Sequence, residues 1–407
     1  MPDTNHLAGQ TLPARISGLN ESLILQVAAR ALARDNSIRL YAGESDQPTP
    51  RFIIEAANEA MLRGETRYVL SRGIQPLRDA IARYLRRTYH TDIQANRITV
   101  TVGGMQAISQ SLLAIMEPGD QVIIPVPVWP NILEAVQAVG GQAVAVPMQF
   151  STTAGWQLNM NHLVDAITPA TRAIFINSPA NPTGWVMGAD DMRALLALCR
   201  DRGIWIISDE VYGRLVYPRA DRNTTQAAIA PSLLSYIKAE DQVIVTNTMS
   251  KNWSMTGWRI GWVVAPPSMG LVYDNLMQYS STGATTFAQH AAVAALDNGE
   301  QHIDSLIEQC RIGRDIVCDA LAGVPDIRLA KPDGAFYLFF GLDGLTDSRQ
   351  LAFDLLDATG VALEPGAAFH PRGEGWMRLC FGVSHPTLTQ AADRITEFLS
   401  DRAKRQR

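Results

Sequence analysis

The chain has 407 residues, of which 47% are hydrophobic and 18% charged, with a formal net charge of −5. That is the composition of a compact protein with two or three domains' worth of core. The mild acidity argues against nucleic-acid binding, and no run reaches the ~18 apolar residues of a membrane-spanning helix. The four cysteines, Cys199, Cys310, Cys318 and Cys380, show neither C-x-x-C spacing nor histidines at metal-ligand spacing. They read as reduced, mostly buried thiols, which implies a cytoplasmic protein without a metal.

The first thirty residues show no signal-peptide core. Residues 23–33 are apolar on one face and carry Arg30, which predicts an amphipathic helix. The segment 1–50 is expected to pack on a small C-terminal domain or on a partner subunit. From 51 to 290, short β-branched runs alternate with helical patterns. Strands are predicted at 98–102, 121–125, 143–147, 173–177, 204–208, 243–247 and 260–265, with helices such as 105–116 and 190–202 between them. Most of these strands are apolar throughout, as in a sheet covered on both faces. The alternation predicts an α/β fold with a mostly parallel seven-stranded sheet. Helices at 288–297 and 303–321 follow. An antiparallel set at 336–340, 361–363 and 376–381 then forms a smaller α+β domain, 291–407, with a charged, frayed tail at 401–407.

Chemistry-bearing residues cluster where strands end, which is where open α/β sheets bind ligands. Gly103-Gly104-Met105 follows the first strand and opens a helix. Such a turn can hold an anion on free N–H groups, or be a turn and nothing more. Trp129, in the run Pro127-Val128-Trp129-Pro130, can stack on an aromatic ligand or pack in the core. In Asn181-Pro182-Thr183-Gly184, proline restricts Asn181 and so aims its amide, although a capped turn has the same composition. Asp209, in Ser208-Asp209-Glu210-Val211-Tyr212, can hold a protonated pyridine nitrogen or cap a helix, and Tyr212 can donate to a phenolic oxygen.

The stretch SKNWSMTGWRIGW, residues 250–262, follows a strand and carries Lys251 and Arg259 eight residues apart. An amine forms a Schiff base with a carbonyl, and a guanidinium grips a phosphate. A surface lysine beside a paired arginine is the plain alternative. Pyridoxal 5'-phosphate has both the aldehyde and the phosphate. Arg378, inside the apolar run Met377-Arg378-Leu379-Cys380-Phe381, needs a partner if buried, either a substrate carboxylate or a structural acid.

GGMQA, NPTG, SDEVY, SKNWSMTGWRIGW and RLCFG, in that order, resemble the fold-type I aminotransferases of class I/II, the family of aspartate aminotransferase. YAGESDQPTP at 41–50 and YVLSRGIQPLRDAI at 68–81 are similar to that family's N-terminal signatures, so the likeness runs from about 43 to 381. The resemblance implies pyridoxal phosphate on a Lys251 Schiff base, with Lys251 carrying the proton. Asp209 would hold the pyridine nitrogen, Asn181 and Tyr212 the phenolic oxygen, and Trp129 would stack on the ring. Gly104, Met105, Thr248, Ser250 and Arg259 would hold the phosphate. Tyr68 would reach the cofactor of a partner subunit, which implies a homodimer. Arg378, with Asn181 and the Gly43 backbone, would bind the substrate carboxylate.

The implied function is ping-pong transfer of an amino group from an amino acid to a 2-oxo acid. A carbon–sulfur β-lyase on the same fold is the nearest alternative. A sensor-type regulator would need a DNA-binding region, and none precedes residue 40. The bacterial aspartate-specific branch carries a lysine where this chain has Met105, and a threonine where Ile24 falls. Neutral, apolar or aromatic donors are therefore expected, unless a partner subunit supplies a cation for aspartate.

Overall fold

A computed structural model describes residues 12–217 and 229–406. Its centre is a seven-stranded sheet. In spatial order the strands are Ile98–Thr101, Gly261–Val264, Val243–Thr248, Trp205–Asp209, Thr171–Asn177, Gln121–Val126 and Gln142–Pro147. Gly261–Val264 runs antiparallel to both neighbours, and the other pairings are parallel. Ile98–Thr101, Val243–Thr248 and Gly261–Val264 are buried at every residue, because helices cover the sheet. One of these, Gly103–Ile115, packs on Val243–Thr248 and Gly261–Val264. The expected helices over 190–202, 288–297 and 303–321 appear as Ala189–Arg202, Thr286–Asn298 and Glu300–Leu321.

A second core forms around a four-stranded antiparallel sheet of Ile327–Arg328, Tyr337–Leu342, Trp376–Cys380 and Glu364–Pro365. The helix Leu23–Leu32 packs on Glu364–Pro365, as does Ser348–Thr359. The region departs from expectation in two places. Val361–Ala362 is not part of the antiparallel set; it pairs in parallel with Ile38–Arg39 in a separate two-stranded sheet. The chain then passes Leu363 and enters the antiparallel sheet as Glu364–Pro365. The tail is not frayed over 401–406 either: the helix His385–Gln406 continues through it, and Asp401 and Lys404 bridge its last turn at 2.9 Å.

Candidate active site

Three neighbouring strands of the large sheet end on polar residues because their apolar runs stop together. Asn177 sits opposite Asp209, and Asp209 opposite Thr246, in the strand register. Asn177 Nδ2 donates to Asp209 Oδ2 at 3.1 Å, and Thr246 Oγ1 donates to Oδ1 at 3.5 Å. Asp209 is 4% exposed. Burial pushes its carboxyl up to about 7, against the pull of the Val211 N–H and the Lys251 charge. Asp209 caps no helix, since the chain continues through turns.

Lys251 follows the strand Val243–Thr248, and its Nζ donates to Gly43 O at 2.7 Å. Burial lowers this amine to about 8, although the nearby Glu44 and Asp209 charges raise it. A Cβ on Gly43 would collide with the Tyr337 hydroxyl, so glycine lets the N-terminal segment come close enough to receive the amine. Nζ also lies 5.8 Å from the Tyr212 ring. Tyr212 and Tyr337 share a hydrogen bond between their hydroxyls at 2.8 Å.

Arg259 has φ +55°, a left-handed conformation that an arginine adopts at a cost. Its Nη1 donates to Thr256 O at 2.8 Å, and its guanidinium fills the space where a Cβ on Gly103 would be. Gly103, at φ +73°, opens the helix Gly103–Ile115, whose first N–H groups have no partner within the helix. Thr248 Oγ1 lies 2.9 Å from Ser250 Oγ and accepts from the Ser250 N–H at 3.2 Å. A cation, a helix N-terminus and two hydroxyls thus meet at one end of the cavity, a donor set suited to an anion.

At the other end Arg378 is 3% exposed. Its Nη1 donates to Asn181 Oδ1 at 3.0 Å, and its Nη2 to Tyr41 O. The guanidinium lies between Tyr337 and Phe369, 4.5 and 4.7 Å from their ring centroids. Among the described residues no carboxylate lies within 4.0 Å of it. Asn181 itself is set by its N–H donating to Asn177 Oδ1 at 2.8 Å.

These groups line one cavity of about 320 Å³. Gly43, Gly104, Met105, Trp129, Asn181, Asp209, Tyr212, Thr248, Ser250, Lys251, Arg259 and Arg378 all face it, as does Ile24. Tyr68 does not; it is 91% exposed. Sequence reasoning missed Asn177, Tyr41, Ile108 and Tyr337, which also line the cavity. Asn177 was visible as a polar residue ending an apolar strand. Tyr337, inside the run Phe336-Tyr337-Leu338-Phe339-Phe340, was hidden among aromatics. Among the described residues no group of three or more His, Cys, Asp or Glu could hold a metal. No helix among them is long and apolar enough to cross a membrane.

Residues 35–395 match the model of the family described as aminotransferase class I and II. The chain is 33% identical to an aspartate aminotransferase of Thermotoga maritima, over 94% of this chain and 97% of that one. It is 33% identical to a probable N-acetyl-LL-diaminopimelate aminotransferase of Bacillus subtilis, over 90% of each. Among solved structures, the aromatic aminotransferase of Pyrococcus horikoshii OT3 superposes with a TM-score of 0.84 at 32% identity, over 93% of this chain and 99% of that one.

Proposed function

The chain belongs to the aminotransferase class I and II family, and from that premise we propose which residues of its cavity carry the reaction and which amino acids it prefers. It is an amino-acid aminotransferase, as its relatives' names agree, and none of those names points to a lyase. The single observation carrying the residue assignment is the meeting of Lys251, Asp209, Arg259 and Arg378 in one cavity. Pyridoxal phosphate fits this donor set. The phosphate suits Arg259, Thr248, Ser250 and the Gly104–Met105 helix start, the ring nitrogen suits Asp209, and the aldehyde suits Lys251. The group supplies an electron sink for a carbanion at the substrate α-carbon when bound.

The chain's own residues do the rest. Asp209, raised by burial to about 7, is favoured in its charged form beside a cationic ring nitrogen and holds the proton there. Tyr212 and Asn181 orient the phenolic oxygen, and Tyr337 fixes the Tyr212 hydroxyl. Trp129 packs on the ring face. Lys251 Nζ, lowered by burial to about 8, loses its proton far more readily than a free lysine; it takes the α-proton and returns it. Arg378 and Asn181 hold the α-carboxylate, which orients the α-C–H toward Nζ.

The distal lining sets the donor class. Ile24, Met105, Ile108 and Trp129 offer apolar surface, and among the described residues of this chain Lys251, Arg259 and Arg378 are the cations that line the cavity. Each of the three already has a role above. A second carboxylate would be desolvated without a partner, which costs several kcal/mol. Neutral, apolar or aromatic donors are therefore preferred.

The same reading includes a cytoplasmic homodimer, and a division of the chain into a large domain, 51–290, and a small one from 1–50 and 291–407. Tyr68, Leu62, Leu70 and Tyr279 are 74–91% exposed. A second copy would cover them and bring Tyr68 to the partner's phosphate. Mixing Tyr68→Ala with Lys251→Ala chains puts both lesions in one site and restores the other. Mixtures that regain no activity, or a monomer in solution, refute the shared site. The reaction class is tested by incubating the holoenzyme with single amino acids. Stoichiometric 2-oxo acid is expected; ammonia with pyruvate would mark β-elimination instead.

A further inference from the structure

Behind Arg378 lies a second ionisable group with no part in the reaction as described. Glu364 is 0% exposed, and neither of its carboxyl oxygens has a hydrogen-bond partner. A buried carboxyl normally finds donors, since leaving it bare is costly. In the antiparallel pairing of Glu364–Pro365 with Trp376–Cys380, Glu364 stands directly opposite Arg378. Directly opposed residues project from the same face of a sheet. The Nε of Arg378 is itself buried without an acceptor. An orphaned acid and an orphaned donor thus project from the same face of one strand pair.

We propose that Glu364 is a positioning residue that couples occupancy of Arg378 to one proton. Above about pH 8, with no substrate carboxylate present, ionised Glu364 balances the guanidinium. When a carboxylate arrives on Nη1 and Nη2, Glu364 takes one proton from solvent and becomes neutral. No other bond changes. The argument rests on the preceding assignment of Arg378 to the substrate carboxylate.

The surroundings leave Arg378 as the dominant charge on Glu364. Burial pushes this carboxyl up to about 8, and Arg378 is the group that pulls it down. The Tyr41 hydroxyl feels the Glu364 charge in turn. On the helix Leu23–Leu32, Arg30 pairs with Asp357. On Ser348–Thr359, Arg349 lies over Phe353 and Asp354 accepts from Gln350. His370, further along the chain, accepts from the Arg372 N–H.

The sign follows directly. Below about pH 8 Glu364 is neutral and Arg378 is free to attract a carboxylate. Above it, ionised Glu364 competes, and carboxylate affinity falls as pH rises, by at most about tenfold per pH unit for one linked proton. The test measures the dissociation constant of 3-phenylpropionate for the holoenzyme by calorimetry from pH 6.5 to 9.5, in the wild type and in Glu364→Gln. The glutamine variant keeps the shape and cannot ionise. Its affinity is expected to stay within about threefold of wild type at pH 6.5 and to exceed it by about tenfold at pH 9.5.

Parallel profiles for the two proteins overturn the proposal, and so does failure of 3-phenylpropionate to bind the wild type at any pH. If Glu364→Gln does not fold, the wild type decides alone. Binding heats at pH 8.5 in two buffers of different ionisation enthalpy count the protons taken up. The cofactor's absorbance counts the proton taken there. About one proton in excess supports the proposal, and none in excess overturns it. Single-turnover formation of 2-oxo acid by the wild type, measured separately, tells failure of this coupling from failure of the aminotransferase assignment.

Discussion

On the wall of the cavity formed by the large sheet, Asp209, Asn177, Thr248 and Ser250 all have hydrogen-bond partners inside the protein. On the opposite side, formed by the N-terminal segment and the four-stranded sheet, Arg378 Nε and, outside the cavity lining, both oxygens of Glu364 are buried without one. Gln26 Oε1, on the helix that carries Ile24, is orphaned too. An unpaired buried polar atom costs about 1–3 kcal/mol. The four polar groups named on the first wall therefore hold their places before any ligand arrives. The second keeps a charge and its counter-charge in reserve, and its energetics change when a carboxylate enters. The proposed cofactor chemistry suits the former, because electrostatic stabilisation works best when donors need no rearrangement. Substrate exchange belongs on the latter.

Substitutions that dismantle the first wall should cost the most. Lys251→Ala removes the proton carrier and is expected to lower kcat by on the order of 10⁴. Mass spectrometry after borohydride treatment should find no pyridoxyl group on the chain; finding it on another lysine breaks the assignment. Asp209→Asn keeps the shape and removes the charge, so kcat should fall by about 10²–10³ while the protein stays folded and yellow. Turnover near wild type would show that the ring nitrogen is held by something else.

On the second wall the loss should appear in binding. Arg378→Gln truncates a buried cation proposed to meet the substrate carboxylate, and is expected to cost about 3 kcal/mol, or roughly 10² in kcat/KM. Most of that should lie in KM; a loss confined to kcat would move Arg378 to the chemical step.

A smaller effect concerns the cofactor-free protein. Only an unprotonated amine attacks a carbonyl, and burial lowers Lys251 from 10.5 to about 8. Cofactor capture should accelerate as pH rises through about 8 and then level off. Between about 8 and 10.5 the unfolded chain holds this proton and the folded chain does not, so Lys251's contribution to stability rises with pH there. Stopped-flow absorbance across pH 6–10 reads the capture rate, and a midpoint near 10 would show that the amine is not desolvated.

Met105→Lys adds a cation to the apolar end. It should raise kcat/KM for aspartate relative to phenylalanine by about tenfold, roughly 1.4 kcal/mol. The wild type should favour phenylalanine; a tenfold preference for aspartate would show that a partner subunit already supplies the cation.

Much of this was legible in the chain. The apolar runs and the turns between them place the seven strands to within about two residues. The polar residues ending those runs place Asp209, Asn181 and Lys251 at one sheet edge, because parallel strands share a carboxyl end. Local chemistry suffices there, since Asp209 ends its own strand and Lys251 and Asn181 sit three and four residues beyond theirs.

The sequence by itself determined the sheet, the family and most of the polar groups that line the cavity. Only the tertiary structure decided the second wall. Tyr337 lies 125 residues from the Tyr212 hydroxyl it bonds, and Gly43 lies 208 residues from the Lys251 amine it receives. Glu364 reads in the chain as an ordinary acid before a proline. Its burial, and its place opposite Arg378, follow from how three distant segments pack, and no local propensity encodes that. A side chain's neighbours within its own strand follow from a period of two; its neighbours across strands follow from register, which the whole fold sets.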